Sequence, residues 1–334
     1  MDCIEEVVEK QYGIKVIELE KLKNIYIIHG EKEMFSLKKI RYEFSHFFFI
    51  ISAMKHLERN KFNYILPFIS TKEGMDYIKL EEGFGYMNPW INARVSNYDN
   101  PLEVDTIAKK LSELHIASQG FVVTKDMKPR VGWGKWIDTF NTRLDEIQDF
   151  KNRIERKNKK SVFDEIYYEA IEKNKIIGKE AIEDLCKSQY LKFMNEEEKL
   201  GGFCHHDWAH HNILIDNYDD FHIIDFDYCI LDTHLHDLSS FIIRVMKNDR
   251  WDLRKAVDII NGYSVGYPLR KEEIPIMAAF IKFPQEFWQI GIQYYWEKQH
   301  WQEEFFIKKL ERILEDIEPR MEFLEQFQLL SYGG

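Results

Sequence analysis

The sequence predicts an α+β protein in which strands come first and helices dominate later. Short runs of β-branched and aromatic residues, separated by turn residues, predict early strands at residues 16–19, 25–28 and 34–38. From residue 101 onward, apolar residues recur at helical spacing over long stretches. A second pair of short apolar runs, 213–215 and 222–224, encloses a polar turn and predicts a β-hairpin late in the chain.

Composition limits what this protein can be. The 334 residues are 45% apolar and 15% aromatic, enough for a large folded core rather than a disordered chain. Lys and Arg number 46 against 57 Asp and Glu, a net charge of −11 that argues against a nucleic-acid partner. No apolar run approaches the length of a membrane span, so no membrane partner is expected. The four cysteines show no paired spacing, which favours reduced thiols and a cytoplasmic protein.

The late hairpin has three oxygen-bearing side chains at its mouth. Asp207 and Asn212 precede its first strand, and Asp225 follows its second. Phosphoryl transfer uses this set, because one carboxylate orients the attacking hydroxyl while an amide and a second carboxylate hold the magnesium that bridges the nucleotide phosphates. The pattern therefore predicts a phosphotransferase site, with Asp207 as the catalytic residue and with Asn212 and Asp225 as metal ligands.

The same stretch resembles a known catalytic motif. Residues 205–214, HHDWAHHNIL, resemble the loop H-x-D-x-x-x-x-N-h-L of protein kinases and aminoglycoside phosphotransferase-like small-molecule kinases. Residues 224–227, IDFD, resemble the metal-binding Asp motif of the same proteins. The wider pattern, from a Leu-Lys in the early strands to a later His-Asp-Leu, covers most of the chain and resembles the spore-coat CotS-type family, a kinase-like branch of spore-forming bacteria.

This resemblance implies a two-lobed protein-kinase-like fold. A nucleotide lobe would span residues 1–88, and a helical lobe with the acceptor pocket would span residues 89–334. The resemblance further implies ATP and Mg2+ as cofactors and a small hydroxyl-bearing metabolite as the acceptor. It also implies other spore-coat proteins as partners, for a cytoplasmic protein that is incorporated into the coat.

The resemblance assigns nucleotide contacts to two segments. Lys38, at the end of the third early strand, would contact the α- and β-phosphates. Met87, Asn88 and Trp90 would lie at the hinge between the lobes, where the adenine edge binds. Pro89 lacks an N–H group, so at most one or two hinge amides could donate to the base.

The sequence departs from the kinase pattern in two places. The glutamate that pairs with the nucleotide lysine has no clear equivalent, because Glu43 is only five residues after Lys38 and Glu58 falls near the far end of a helix predicted over 41–60. The first hairpin, at 20–24, has no glycine that would let backbone amides close over phosphates. These departures bear on catalytic efficiency more than on the fold.

Two alternative readings follow from the same residues. Clustered histidines and an aspartate are typical of zinc sites, and such a cluster lies at His205, His206, Asp207, His210 and His211. A zinc site requires neither the following amide nor a strand pair that ends in a second aspartate, so the phosphotransferase interpretation is favoured. The second alternative is a non-catalytic or weakly catalytic spore-coat binding module, which the two departures favour.

Other elements are predicted from periodicity and from capping residues. Two more strands are predicted at 65–69 and 77–80, and Asp237 is predicted to cap a helix that runs through Val245. Two long aromatic-rich helices are predicted at 275–299 and 300–330. Their aromatic residues would pack in the core or form a cage for a cationic acceptor.

Overall fold

The computed structural model describes residues 3–248 and 250–330, and the chain divides into two units. The first unit consists of Met1–Tyr98, Glu113–Arg130 and His205–Ile230. It contains a five-stranded antiparallel sheet of order β1-β2-β3-β5-β4. Its strands are β1 (Glu18–Leu22), β2 (Ile25–His29), β3 (Met34–Ile40), β4 (Ile78–Lys79) and β5 (Phe84–Pro89). The early strands therefore form where the sequence predicts them, except that β1 begins two residues later than predicted, at Glu18.

Helix α1 (Ile4–Tyr12) covers one face of this sheet. Its buried residues recur at helical spacing, at Ile4, Val8 and Tyr12. They pack into one apolar cluster with alternate residues of the central strands, such as Phe35 and Leu37 of β3. Because successive side chains of a strand point to opposite faces, Lys38, next to Leu37, points to the face opposite this cluster. Helix α2 (Phe44–Arg59) follows β3 and matches the helix predicted at 41–60.

The late hairpin is confirmed within the first unit. Strand β7 (Ile213–Asp216) pairs with β8 (Phe221–Ile223), and β6 (Ala93–Val95) completes a three-stranded sheet of order β6-β7-β8. Asp216 closes the turn, because its side chain accepts hydrogen bonds from the backbone N–H groups of Tyr218 and Asp220.

The second unit, made of Asp99–Ser112, Val131–Cys204 and Leu231–Gly334, is helical. Helix α3 runs through residues of both units. The helices are α3 (Pro101–Ser118), α4 (Trp136–Glu155), α5 (Val162–Lys187), α6 (Tyr190–Leu200), α7 (His234–Met246), α8 (Leu253–Ser264), α9 (Ile274–Lys282), α10 (Gln285–Gly291), α11 (Glu303–Glu315) and α12 (Ile317–Leu329). Among the described residues, no helix combines the length and apolar character that crossing a bilayer requires.

The structure corrects the predictions for one strand, two helices and one helix cap. The strand predicted at 65–69 does not form; Ile65 makes one isolated bridge to Ile223, and Pro67 cannot donate to a ladder. The helix predicted at 275–299 is instead α9, α10 and a π-helical turn, because Pro284 ends the first helical segment. The helix predicted at 300–330 is instead α11 and α12, which meet at Asp316. Helix α7 is capped by Thr233, whose side chain accepts from the N–H of Leu235, and not by Asp237, which lies inside the helix and is buried.

The aromatic residues of the last helices contact charged groups of the chain itself. The guanidinium of Arg143 lies 4.5 Å from the ring centre of Trp288. The ammonium of Lys157 lies 5.5 Å from the ring centre of Tyr294 and 5.3 Å from that of Tyr295. These rings therefore already stack on internal cations. The division of the chain into lobes at 1–88 and 89–334 stays a prediction.

Candidate active site

The predicted catalytic loop places Asp207 against Asn212. The side-chain N–H groups of Asn212 donate to the Asp207 carboxylate at 2.8 Å and to its backbone carbonyl at 2.9 Å. A 3-10 turn over His210–Asn212 brings the two residues together just before β7. Because the nitrogen of the Asn212 amide is committed to Asp207, its oxygen is the atom that can face a cation.

His205 ties this loop to the Asp225 segment. Its Nδ1 accepts from the backbone N–H of Asp207 at 3.3 Å, so its Nε2 bears the proton that bonds to the carbonyl of Ile224 at 2.9 Å. The Ile224 N–H in turn donates to the carbonyl of Asn212 at 3.0 Å. His205 is fully buried against the ring of Phe226. The histidine therefore serves the geometry of the loop rather than a zinc ion.

Two residues beside these groups adopt left-handed backbone conformations. His206 has φ 69°, and Asp225 has φ 66° and ψ 63°. Such conformations cost about 1–3 kcal/mol for residues other than glycine and concentrate at functional sites, where the surrounding structure enforces them. Here the hydrogen bonds of His205 and Asn212 hold the flanking residues in place.

Lys38 lies between two carboxylates of the Asp225 segment. Its ammonium donates to Asp225 at 2.7 Å and to Asp227 at 2.7 Å. The side chain of Lys38 is 10% exposed, that of Asp227 14% and that of Asp225 38%. A single cation thus lies between the partly exposed carboxylate of Asp225 and the more deeply buried carboxylate of Asp227, which would otherwise repel each other.

The pKa values in this cluster follow from burial and from the shared cation. Burial opposes the charge on Lys38, but Tyr86 and the two aspartates outweigh it, so the pKa of Lys38 is raised above its usual range. Burial favours the neutral form of Asp225, yet Lys38 outweighs it and lowers the pKa of that carboxyl. The more deeply buried Asp227 has a raised pKa, because burial and the charge of Asp225 together exceed the effect of Lys38.

This donor set suits a hard divalent cation. Asp225 and Asp227 offer carboxylate oxygens and Asn212 offers an amide oxygen, which are the ligands that Mg2+ prefers in proteins. The Lys38 ammonium already shows that the two carboxylates hold a positive charge at this position. The residues present therefore fit magnesium.

Comparisons with known proteins identify the family. The family model described as "Spore coat putative kinase YutH" matches residues 5–327. The chain belongs to this family. It is also 25% identical over 300 residues to Spore coat protein S of Bacillus subtilis (strain 168), a match that spans 89% of this chain and 84% of the relative. The resemblance to the CotS-type family inferred from the sequence is thereby confirmed.

Solved structures confirm the predicted fold class of this member of the YutH family. The crystal structure of an aminoglycoside phosphotransferase from Alicyclobacillus acidocaldarius subsp. acidocaldarius DSM 446 is similar with a TM-score of 0.85 at 18% identity, over 99% of this chain and 97% of that one. A spectinomycin phosphotransferase in complex with ADP and spectinomycin is similar with a TM-score of 0.66 at 16% identity, over 96% and 97%. The chain therefore has the kinase-like α+β fold of aminoglycoside phosphotransferases.

The predicted hinge residues of this YutH-family chain lie in or beside strand β5. Met87 is buried in the apolar cluster between the sheet and α1. The side chain of Asn88 donates to the carbonyls of Leu66 and Pro67 at 3.1 and 2.8 Å, so it holds the segment where no strand forms. The backbone N–H of Trp90 donates to the carbonyl of Met34 at 2.9 Å. Their contact with a nucleotide stays a prediction.

Sequence reasoning missed the part that Asp227 takes in this site. Asp227 is the second aspartate of the D-F-D motif. Its position two residues after Asp225 is the sequence feature that could have indicated its role. Among the described residues, the ion-pair partners of Lys38 are these two aspartates and include neither candidate glutamate. Glu43 lies at the start of α2, 3.8 Å from Lys128, and Glu58 pairs with Lys55 at 3.0 Å.

Proposed function

We propose that this protein is an ATP- and magnesium-dependent phosphotransferase that acts on the hydroxyl group of a small molecule. The observation that supports this most is the cluster of Lys38, Asp225 and Asp227, in which a nucleotide-type lysine reaches the metal-type carboxylates. Phosphoryl transfer needs these groups together, because the lysine binds phosphate oxygens while the carboxylates hold the bridging metal.

This proposal assigns a role to each polar residue of the site. Asp207 accepts the proton of the acceptor hydroxyl as its oxygen attacks the terminal phosphorus, and the bond from that phosphorus to the leaving nucleoside diphosphate breaks. Asn212 keeps the carboxylate of Asp207 aimed, through the hydrogen bond at 2.8 Å. Asn212, Asp225 and Asp227 would hold Mg2+, which neutralises charge on the phosphates when it is bound. Lys38 would then exchange one or both carboxylates for phosphate oxygens.

The nucleotide base would lie along the segment from Met87 to Trp90. The Trp90 N–H already donates within the sheet, so we assign Trp90 an apolar contact with the base rather than a backbone hydrogen bond. Similarity to a phosphotransferase whose crystal contains ADP supports a nucleotide site on this fold.

A second candidate function is a spore-coat protein with little or no turnover. The relative named Spore coat protein S and the description of the family support incorporation into the coat and contacts with other coat proteins. Two structural observations favour low turnover: in the part of the chain that the structure describes, the ion-pair partners of Lys38 do not include a helix glutamate, and the tip of the first hairpin is Lys23–Asn24 rather than glycine. Coat incorporation and catalysis are compatible, and a turnover assay distinguishes the two candidate functions.

Thermal unfolding with and without Mg-ATP tests nucleotide binding. A ligand that binds only the folded state stabilises it by about 2.7 kcal/mol at about one hundred times its Kd. We expect Mg-ATP to raise the Tm of the parent, and we expect Asp225→Asn to lose the magnesium-dependent part of that shift. The proposal fails if neither ATP nor another nucleotide at millimolar concentration stabilises the parent in the presence of Mg2+.

A further inference from the structure

A guanidinium of the first unit is held between two tyrosine rings. Arg130, on the loop that follows α3, has its guanidinium 5.9 Å from the ring centre of Tyr42 and 5.7 Å from that of Tyr228. All three residues belong to the first unit. Arginine stacks on aromatic faces at such distances, and contacts with two rings restrict where the guanidinium can point. The side chain is therefore positioned before any ligand binds.

Both tyrosines lie close in the chain to groups of the candidate active site. Tyr42 follows Lys38 by four residues, between the end of β3 and the start of α2. Tyr228 follows Asp225 by three residues and ends a short 3-10 turn, against which α2 packs. Arg130 therefore lies beside the segment that carries the metal-type carboxylates.

The loop that carries Arg130 is fastened to α2. The backbone N–H of Lys128 donates to the carbonyl of Ser45 at 3.0 Å. Nδ1 of His46 bonds to the carbonyl of Lys128 at 3.1 Å, and since a carbonyl only accepts, this nitrogen bears the proton. The pKa of His46 is lowered, chiefly by burial, and the charge of Arg130 lowers it further while that of Asp227 raises it. Both charges therefore lie within electrostatic range of the first turn of α2.

The charge of Arg130 is open to a ligand. Within the residues that the structure describes, no carboxylate pairs with its guanidinium, although acidic residues outnumber basic ones by 57 to 46. The hydroxyl groups of Tyr42 and Tyr228 likewise make no hydrogen bond in the described part of the chain. Arg130 and Tyr228 are exposed, whereas the nearby Asp227 is bound to Lys38 at 2.7 Å. One cation and two hydroxyl donors thus face solvent together.

This donor set suits an oxyanion. A guanidinium presents its N–H groups in a planar fork that matches two oxygens of a phosphate or a carboxylate, and a phenol hydroxyl can donate as well. In the proposed function the nucleotide phosphates are already neutralised by Lys38 and Mg2+. Lys38 is buried and Arg130 is exposed, so Arg130 is placed to meet an anion that arrives from solvent apart from the nucleotide.

We propose that Arg130, Tyr42 and Tyr228 bind an oxyanionic group of the acceptor, a phosphate or a carboxylate, so that the acceptor is an anionic hydroxy compound. The inference rests on the proposed function, because it assigns a charge to the acceptor of that same reaction. The polyphosphate of the nucleotide has the same chemistry, and the experiment separates the two sources.

The experiment uses glycerol 3-phosphate, which carries both hydroxyl groups and an oxyanion, as the probe. Its binding is titrated by phosphorus NMR with the parent, with Arg130→Gln and with the matched control Lys125→Gln, which removes the same charge from an exposed side chain of the same loop. Arg130→Gln should bind the probe at least about tenfold more weakly, because hydrogen bonds from a charged group are lost. The control should match the parent.

A second variant carries the test if Arg130→Gln does not fold. Tyr42→Phe/Tyr228→Phe keeps the two rings that hold the guanidinium and removes both hydroxyl donors. It should bind the probe severalfold more weakly than the parent. Urea unfolding curves establish which variants fold.

Titrations with nucleotides identify the source of the oxyanion. If the acceptor supplies it, Arg130→Gln binds Mg-ATP as well as the parent does, and the probe still binds to the parent saturated with Mg-ADP. If Arg130→Gln loses Mg-ATP affinity as strongly as probe affinity, or if Mg-ADP excludes the probe, the oxyanion is that of the nucleotide and the assignment to the acceptor is overturned.

The same titrations separate this inference from the proposed function. Equal probe affinities in Arg130→Gln and Lys125→Gln, or no probe binding by the parent, overturn the oxyanion site, while Mg-ATP binding by the parent still supports the function. A parent that binds the probe through Arg130 but does not bind Mg-ATP keeps the oxyanion site and rejects the proposed function.

Discussion

Replacing Lys38 with methionine should destabilise the metal-free protein. The ammonium lies 2.7 Å from both Asp225 and Asp227, and methionine keeps much of the apolar stem while it removes the charge. Removal of one partner from a buried ion pair costs about 3–5 kcal/mol, because a buried charge is left uncompensated. Since Asp225 is more than one third exposed, water screens part of its charge, and we expect a loss of about 2 kcal/mol.

The loss should depend on magnesium. Mg2+ is a hard cation that binds carboxylate oxygens, so it can neutralise Asp225 and Asp227 when the ammonium is gone. We expect Mg2+ to restore most of the stability of Lys38→Met in urea unfolding, and to stabilise the parent much less because Lys38 competes for the same oxygens. The matched control is Lys39→Met, whose lysine lies 3.6 Å from the exposed Glu82; this change should cost at most about 1 kcal/mol.

The pH dependence gives the same experiment a second readout. Burial raises the pKa of Asp225 but Lys38 outweighs it, so the folded-state pKa lies below the unfolded one. The ionised Asp225 carboxylate therefore stabilises the folded state at pH values above the usual aspartate pKa of about 4. This stabilisation is lost as the pH falls through the lowered pKa of Asp225 in the folded protein. The stability difference between parent and Lys38→Met should therefore shrink in acid. Equal losses in the Lys38 and Lys39 variants, with equal responses to Mg2+, would refute this account of the cluster.

Three further predictions concern catalysis, the hairpin and the helical unit. Asp207→Asn should fold and bind Mg-ATP like the parent but lose turnover by about a hundredfold or more, because the basic oxygen is gone; full turnover with an acceptor found by screening would remove Asp207 from that role. Lys23, in the two-residue turn of the first hairpin, has a left-handed φ of 55°, and Lys23→Asn should raise the free energy of unfolding by about 0.5 kcal/mol because asparagine tolerates that conformation better; a lower Tm would show that this position is not strained. Thr233→Ala should lower that free energy by about 1 kcal/mol through loss of the α7 cap, and Thr233→Ser, which keeps the hydroxyl, should lose less than half as much.

Local patterns predicted much of this site. The runs at 213–215 and 222–224 and the turn between them are contiguous in sequence, so their residue types alone indicate a hairpin. Asp207 and Asn212 are five residues apart, and one turn and one strand start bring them together. A motif of this kind is predictable because the chain between its members is short and its conformation is set by neighbouring residues.

Elements were less predictable where the local sequence allows two alternatives, such as two possible helix N-caps or a strand and an irregular segment. Thr233 and Asp237 are both good helix N-caps, and the choice between them depends on where α7 begins against the rest of the second unit. The segment at 65–69 has the composition of a strand, yet Pro67 and the side chain of Asn88 hold it by individual hydrogen bonds instead of a ladder. In both cases tertiary contacts decide between local alternatives.

The partner of Lys38 shows most clearly what the sequence could not provide. A search near Lys38 finds Glu43 and Glu58, because the kinase pattern places a glutamate in the following helix. The actual partners are 187 and 189 residues away. No local rule selects them, since only the folded first unit brings the end of β3 to the segment after β8. Because both aspartates already neutralise the ammonium of Lys38, a glutamate in α2 is not required to balance its charge. The missing glutamate is therefore weaker evidence against catalysis than the sequence alone suggests, and turnover depends on whether a nucleotide can separate Lys38 from Asp225 and Asp227.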